Sequence, residues 1–315
     1  MAFDVTQLTN YTDENKLPLV KKMLLSPRTL QIVDVIPGIK SSATLNDVAS
    51  EITATLGGAC GFDPQSNTIF SQREISVCPI KVEEALCPEV LESYYLQKSM
   101  KAGSYQDSIP FEGIWSEERA EQIARLNDQL IWNGDTDNGV GNMALCDGFR
   151  KLTDDLILES PQEIIEANQG TASAIDATNV IDVLETQVRQ VIPTNILSAN
   201  DLVAFVGYDT YMTYIKALKD NNMFHIDPRE SDGMEYSTNI YGTNVRVIAV
   251  EPLNGTNEVY ASSASNFKVG VDLLSDYENF TLAYDVARDD IIFRSKWKMG
   301  VQVHYPEYMV VWKPA

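Results

Sequence analysis

The sequence predicts an α+β protein, and three observations carry that reading. Two strand-like runs flank a glycine-rich reversal, a strongly patterned helix occupies 116–132, and helices alternate with apolar strands through the second half. With 315 residues and 44% hydrophobic content, the chain can bury a core that offsets its folding entropy.

Residues 1–42 predict an extended arm. Apolar clusters at Leu17-Pro18-Leu19-Val20 and Met23-Leu24-Leu25 alternate with polar turns, and Pro18, Pro27 and Pro37 interrupt any long helix. Such a segment stays ordered only against another surface. Residues 43–56 alternate in part through Leu45, Val48, Ile52 and Leu56, and 67–82 carry Ile69, Ile75, Val77, Ile80 and Val82. The reversal Gly57-Gly58-Ala59-Cys60-Gly61-Phe62-Asp63-Pro64 joins them, so 43–82 reads as one long hairpin. No neighbouring element in sequence covers its apolar positions.

A short helix is expected at 88–100, with Pro88 in its first turn. Ser116 opens the clearest helix, with Glu117 and Glu118 at its positive end and Ala120, Ile123, Leu126, Leu130 and Ile131 as its apolar stripe. Gly134, in the left-handed conformation, is expected to end it. Another amphipathic helix spans 179–191 through Val180, Val183, Leu184, Val188 and Val191, closed by Pro193. Residues 202–207 suit a buried strand, and a helix follows at about 209–220 with Tyr211, Tyr214, Ile215 and Leu218 on one side. Strands at 245–250 and 258–261 are separated by Asn254-Gly255, a strong hairpin signal. The tail alternates through Ile291, Phe293, Val301 and Val303, then Tyr308, Val310 and Trp312.

The formal charge of −21 argues against nucleic-acid recognition, because a basic face supplies most of such affinity and no Lys/Arg cluster exceeds Lys21-Lys22. No run is long and apolar enough for a membrane helix, and the N-terminus lacks a secretion signal. Four cysteines (Cys60, Cys78, Cys87, Cys146) and two histidines (His225, His304) lack ligand spacing, so no metal site is expected and the thiols read as buried or half-buried. Asp135-Thr136-Asp137-Asn138-Gly139 fails the EF-hand pattern at its sixth and twelfth positions, Val140 and Cys146, and reads as a turn. Gly139-Val140-Gly141-Asn142-Met143-Ala144 follows a helix where a dinucleotide fingerprint needs a strand. Tyr208, Tyr211 and Tyr214 fit helix packing or a subunit interface. No catalytic residue and no cofactor site is recognised.

Three stretches taken in order resemble the major capsid proteins of tailed bacteriophages, which share the HK97-like (Hong Kong 97-type) fold. The first runs from Cys78-Pro79-Ile80-Lys81-Val82-Glu83-Glu84-Ala85-Leu86-Cys87-Pro88 to Tyr95-Leu96, like the return strand of the family's extended loop. The second runs from Ile109-Pro110-Phe111 through the long helix to Asp147-Gly148-Phe149, like the spine helix of the peripheral domain. The third joins Asn266-Phe267 and Gly270-Val271-Asp272 to Phe293-Arg294-Ser295-Lys296-Trp297-Lys298-Met299-Gly300-Val301-Gln302-Val303 and ends in Tyr308-Met309-Val310-Val311-Trp312, like the final strands.

The resemblance implies an arm at 1–42, an extended loop at 43–82, a peripheral domain with spine helix at 83–160, an axial domain at 161–250 and return strands at 251–315. It also implies why the hairpin has no cover: in this family arm and loop lie over neighbouring subunits. The residues expected in such contacts are Leu19, Leu24, Leu56, Phe62, Ile69, Ile75 and Val77. The function implied is that of a structural subunit forming hexamers and pentamers of an icosahedral virion shell around double-stranded DNA. Expected partners are further copies of the chain, a separate scaffolding protein, a portal, and minor or decoration proteins, with DNA held without sequence-specific contact. Assembly is expected in the host cytoplasm. The spine helix, through Glu117, Glu118, Glu121 and Asp128 against Arg119 and Arg125, is expected to present an acidic inner wall. The alternatives are an encapsulin-like compartment, and a cytosolic enzyme or ligand-binding protein with an acidic cleft.

Overall fold

The structure is a computed structural model. It describes residues 27–51, 53–54, 67–87, 111–159, 163–168, 174–197, 201–223, 236–240, 243–272, 281–285 and 290–314. The expected helix at 88–100 lies outside them, as do Leu19, Leu24, Leu56 and Phe62.

Residues 27–42 are not a free arm. Strand β1 (Asp34–Pro37) pairs in parallel with β10 (Phe267–Val271), and Leu30, Val33 and Ile39 are buried in the chain's own core. Apolar residues in this proline-punctuated stretch therefore find cover within the chain. Strands β2 (Ser42–Glu51) and β3 (Asn67–Ser76) form the hairpin. After Val77, which belongs to neither strand, the chain turns into β4 (Cys78–Leu86), which pairs with β12 (Asp290–Val303) and not with β2. The hairpin thus ends at residue 76, and 78–82 belong to the main sheet.

The first sheet, among the described residues, has the order β1-β10-β12-β11, with β11 at Thr281–Asp285 and β4 beside β12. Strand β12 alternates strictly over most of its length. Ile291, Phe293, Ser295, Trp297, Met299, Val301 and Val303 are buried on one face. Helix α1 (Phe111–Asn133) packs on it, burying Ala120, Ile123, Ala124, Leu130, Ile131 and Trp132. The helix begins directly after Pro110, five residues ahead of the expected start at Ser116.

Gly134 ends α1 for a different reason from the expected one. Its φ is not positive; a Cβ there would lie 2.1 Å from the Cys146 carbonyl oxygen. The 135–139 stretch is the expected turn, with Asp135 Oδ1 accepting the backbone N–H groups of Asp137 and Asn138 at 2.9 and 3.0 Å. Helix α2 (Phe149–Leu158) follows.

The second sheet has the order β5-β13-β9-β6-β8-β7, formed by Ile165–Glu166, Val310–Trp312, Val259–Ser263, Leu202–Val206, Arg246–Ala249 and Ser237–Asn239 respectively. The segment 251–315 therefore divides between two sheets. Both faces of the second sheet are buried. Val203, Phe205, Ile248, Tyr260 and Val311 join the core of α1 and the first sheet, while Leu202, Ala204, Val206, Val247, Ala249, Val310 and Trp312 face a second core. That second core is closed by α3 (180–191) and α4 (Tyr208–Asp220). Helix α3 is composite, with one α turn, a π segment at Val183–Val188 and a final 3-10 turn. The wider π segment rotates later residues off the stripe, so Val191 is exposed against expectation.

Asn254-Gly255 is not a hairpin turn. Strand β6 lies between β8 and β9, parallel to the first and antiparallel to the second. A parallel β6–β8 pair needs a crossover, and α4 supplies it. The Asn-Gly pair instead caps that helix. Asn254 Oδ1 accepts the Tyr208 N–H at 2.6 Å, and the Gly255 N–H donates to Asp209 Oδ2 at 2.8 Å with Gly255 at φ +73.

Trp132 joins the layers. Its ring lies 5.2–5.4 Å from those of Phe149, Phe205 and Tyr260, and 6.2 Å from Phe267.

Candidate assembly interface

The β2–β3 ribbon has one face that the described residues of its own chain leave uncovered. Its register places Ala43, Leu45 and Asp47 opposite Ile75, Arg73 and Ser71 on one face, and Thr44 and Asn46 opposite Glu74 and Gln72 on the other. The second face is open to solvent: Thr44, Asn46, Thr68, Phe70, Gln72, Glu74 and Ser76 are all exposed, and Phe70 is 75% accessible. An isolated two-stranded ribbon is marginal in water, and an exposed Phe on it marks a surface awaiting cover.

The root of the ribbon, by contrast, is built into the subunit. Ile75 is fully buried and Val77 half-buried. These two were expected at inter-subunit contacts; Ile75 is corrected by its burial within one chain, and Val77 packs at the same root. Both lie against Gly270, where a Cβ would come within 3.1 Å of Ile75 Cδ1 and 3.2 Å of Val77 Cγ1. Its register partner Gly300 lets the Ser76 carbonyl approach to 1.9 Å of where a Cβ would be. Paired glycines in adjacent strands thus make the seat. Polar ties complete it: the Val77 N–H donates to the Ser41 carbonyl at 2.9 Å, Gln302 Nε2 donates to the Glu74 carbonyl at 2.8 Å, and Arg73 pairs with Glu163. Ile69, expected on this list too, pairs with Ala49 in the ribbon.

Sequence reasoning missed Phe70, Gly270 and Gly300 as functional positions. Glycine inside a strand pattern signals close backbone approach, and both glycines carry that signal. Phe70 escaped because the alternation was read through Ile69 and Ile75.

A cleft of about 690 Å³ opens beside the root, lined by Asp47, Arg73, Glu74, Glu163, His304 and Tyr305 among others. Burial and the nearby Lys268 charge hold His304 below its ordinary value, so the imidazole is neutral at pH 7. Among the described residues, no three His, Cys, Asp or Glu side chains converge as a metal's ligand set. The acidic cleft of the enzyme alternative is present as a shape, without a metal cluster within those residues. Nor is any described helix long and apolar enough to cross a membrane.

Of the acids expected to face outward on the long helix, Asp128 does not. Glu118 and Glu121 are exposed and Arg119 pairs with Glu84 at 2.9 Å. Asp128 is buried, accepting the Thr29 N–H at 3.3 Å, while the Trp132 indole N–H donates to Thr29 Oγ1 at 2.9 Å. Helical spacing alone put Asp128 on the solvent side; the returning 27–33 segment covers it.

No protein-family model and no curated protein matches the chain. Solved structures do. The chain is similar to the satellite phage P4 procapsid including the size determination (Sid) protein, at 14% identity and a TM-score of 0.57, over 100% of this chain and 92% of that one. It is similar to the capsid of an empty GTA particle at 12% identity and 0.56, over 92% and 90%. Against the capsid of Myoviridae phage XM1 the values are 13% and 0.54, over 91% of each chain. A likeness spanning nine-tenths or more of both partners, on top of the hairpin, spine helix and two sheets described above, assigns the architecture: this chain has the α+β HK97-like phage capsid fold.

Proposed function

We propose that this chain is a major capsid subunit, closing an icosahedral virion shell of hexamers and pentamers around double-stranded DNA. The observation that carries the proposal is the ribbon: rooted in the subunit by Ile75 and the glycine seat, yet presenting on its other face the exposed Thr44, Asn46, Thr68, Phe70, Gln72 and Glu74. A neighbouring copy that covers this face buries several side chains, at about 25 cal/mol per Å² of apolar area. Such contacts, each weak, suffice when repeated around a ring. In this reading the first sheet with α1 and α2 is the peripheral domain, and the second sheet with α3 and α4 is the axial domain. A separate scaffolding protein, a portal and minor or decoration proteins are the further partners, and the role is structural, without catalysis.

The test is assembly of the purified chain, followed by negative-stain microscopy and size-exclusion chromatography. Wild type is expected to give rings and shells. Phe70→Asp is expected to keep the wild-type circular dichroism spectrum and thermal midpoint but to stop before closed shells. A wild-type chain that stays a small discrete oligomer under all assembly conditions would overturn the proposal, as would closed shells of normal yield from Phe70→Asp.

A further inference from the structure

Two thiols meet at the root of the hairpin. Cys78 opens β4, one residue past the ribbon's last hinge position, Val77. Met299 of β12 stands directly across from it in the ladder. Cys146 arrives from the loop between α1 and α2, and its Sγ donates to the Met299 carbonyl at 3.5 Å. Both cysteines therefore border one residue of β12, and both pack into the same apolar core. The Cys146 backbone is held in place: its carbonyl is wedged against Gly134, where no Cβ fits.

We propose that Cys78 and Cys146 form a closable dithiol, a modification site at the ribbon root that a small-molecule disulfide converts to an intramolecular cystine. The two sulfurs divide the work. Cys78 is half-exposed and Cys146 is buried at 2% accessibility. The neighbouring Cys146 thiol lowers the Cys78 thiol to about 7, against burial and the Asp147 charge, so Cys78 is the sulfur that ionises more readily near neutral pH. The same contact, together with burial, keeps Cys146 protonated. Cys78 is the attacking sulfur and Cys146 the resolving one.

With oxidised glutathione as the disulfide, the Cys78 thiolate attacks one sulfur. The glutathione S–S bond breaks, a mixed disulfide forms on Cys78, and one glutathione thiolate leaves. Cys146 then attacks Cys78 Sγ, releasing the second glutathione thiolate as the cystine closes. The two released thiolates take up the protons of the original thiols. Two electrons pass from the cysteine pair to glutathione, and no other reactant is needed. A reducing cytosol leaves the pair open, and an oxidising exterior closes it. Closure pins the strand that carries the ribbon to the loop that ends the spine helix.

The experiment uses the unassembled full chain with Cys60→Ser and Cys87→Ser, incubated with oxidised glutathione near neutral pH and mapped by non-reducing peptide mass spectrometry. The expected product links the Cys78 and Cys146 peptides, and it forms roughly tenfold or more faster in the folded chain than in urea. Adding Cys146→Ser is expected to trap glutathione on Cys78. If that variant fails to fold, the rates in the parent chain decide alone. A folded chain that stops at the Cys78 adduct, that keeps both thiols, or that bridges no faster than the unfolded chain would overturn the proposal.

Discussion

Glu258 shows how much of this fold hangs on single buried charges. Arg150 grips it through Nε and Nη2 at 2.7 and 2.9 Å, and the Tyr260 hydroxyl donates to it at 2.7 Å. Arg150 also donates to Asn133 Oδ1 at 2.9 Å, so one carboxylate organises α1, α2 and β9. Glu258→Ala strands a guanidinium and a buried hydroxyl. Arg150 keeps a third of its side chain in water, so the low end of the range for broken buried pairs applies, about 3 kcal/mol, measurable by urea unfolding. Asp128 behaves in the opposite sense. Burial is the main cause holding its carboxyl above the ordinary 3.8, outweighing the hydrogen bonds from Thr29 that lower it. Above 3.8 the folded state holds the proton more tightly than the unfolded chain, so this group's contribution to stability falls as pH rises through that window. Asp128→Asn, which keeps an oxygen for Thr29, is expected to raise the urea midpoint at pH 7. The advantage should vanish as pH approaches 3.8; an equal gain at both ends would show that titration is not its source.

At the scale of elements, the ribbon root is the critical joint. Gly300→Ala places a methyl group where the Ser76 carbonyl already sits, and backbone on both sides leaves little room to yield. Overpacking of this kind costs about 1–3 kcal/mol. The expected signature is local: faster proteolysis within the hairpin together with a lowered unfolding midpoint. Unchanged proteolysis would mean that Gly300 does not seat the ribbon. The existence of this hairpin was legible from alternation, and so were α1, the buried strand at 202–206 and α4. Its end was not. Residues 67–82 read as one strand because the break at Val77 carries no proline or glycine, and only pairing with β12 pulls β4 away. Asn254-Gly255 misled for a related reason: the dipeptide specifies a turn, while the strands beside it pair with β6 and leave the turn to cap a helix.

At the scale of the whole molecule, charge decides how copies meet. Each chain carries −21, so neighbours approach against mutual repulsion over a screening length of about 10 Å at 0.1 M salt. Raising salt from about 0.1 to about 0.5 M should speed assembly several-fold by light scattering, because the apolar ribbon contact survives screening while repulsion does not. A rate that falls with salt would point to attraction between opposite charges as the driving term. The sequence by itself determined what is local or additive: the periods of the long helices and strands, the acidic surface, the lack of ligand spacing among cysteines and histidines, and the α+β class. Only the tertiary structure decided which strands pair, that Gly270 and Gly300 face each other under the hairpin, that residues 27–33 bury Asp128, and that Cys78 and Cys146 both border Met299. The reason is physical. Backbone ladders accept almost any side chain, so strand partners are chosen by packing between residues far apart in the chain, and no window of sequence contains both halves of that choice.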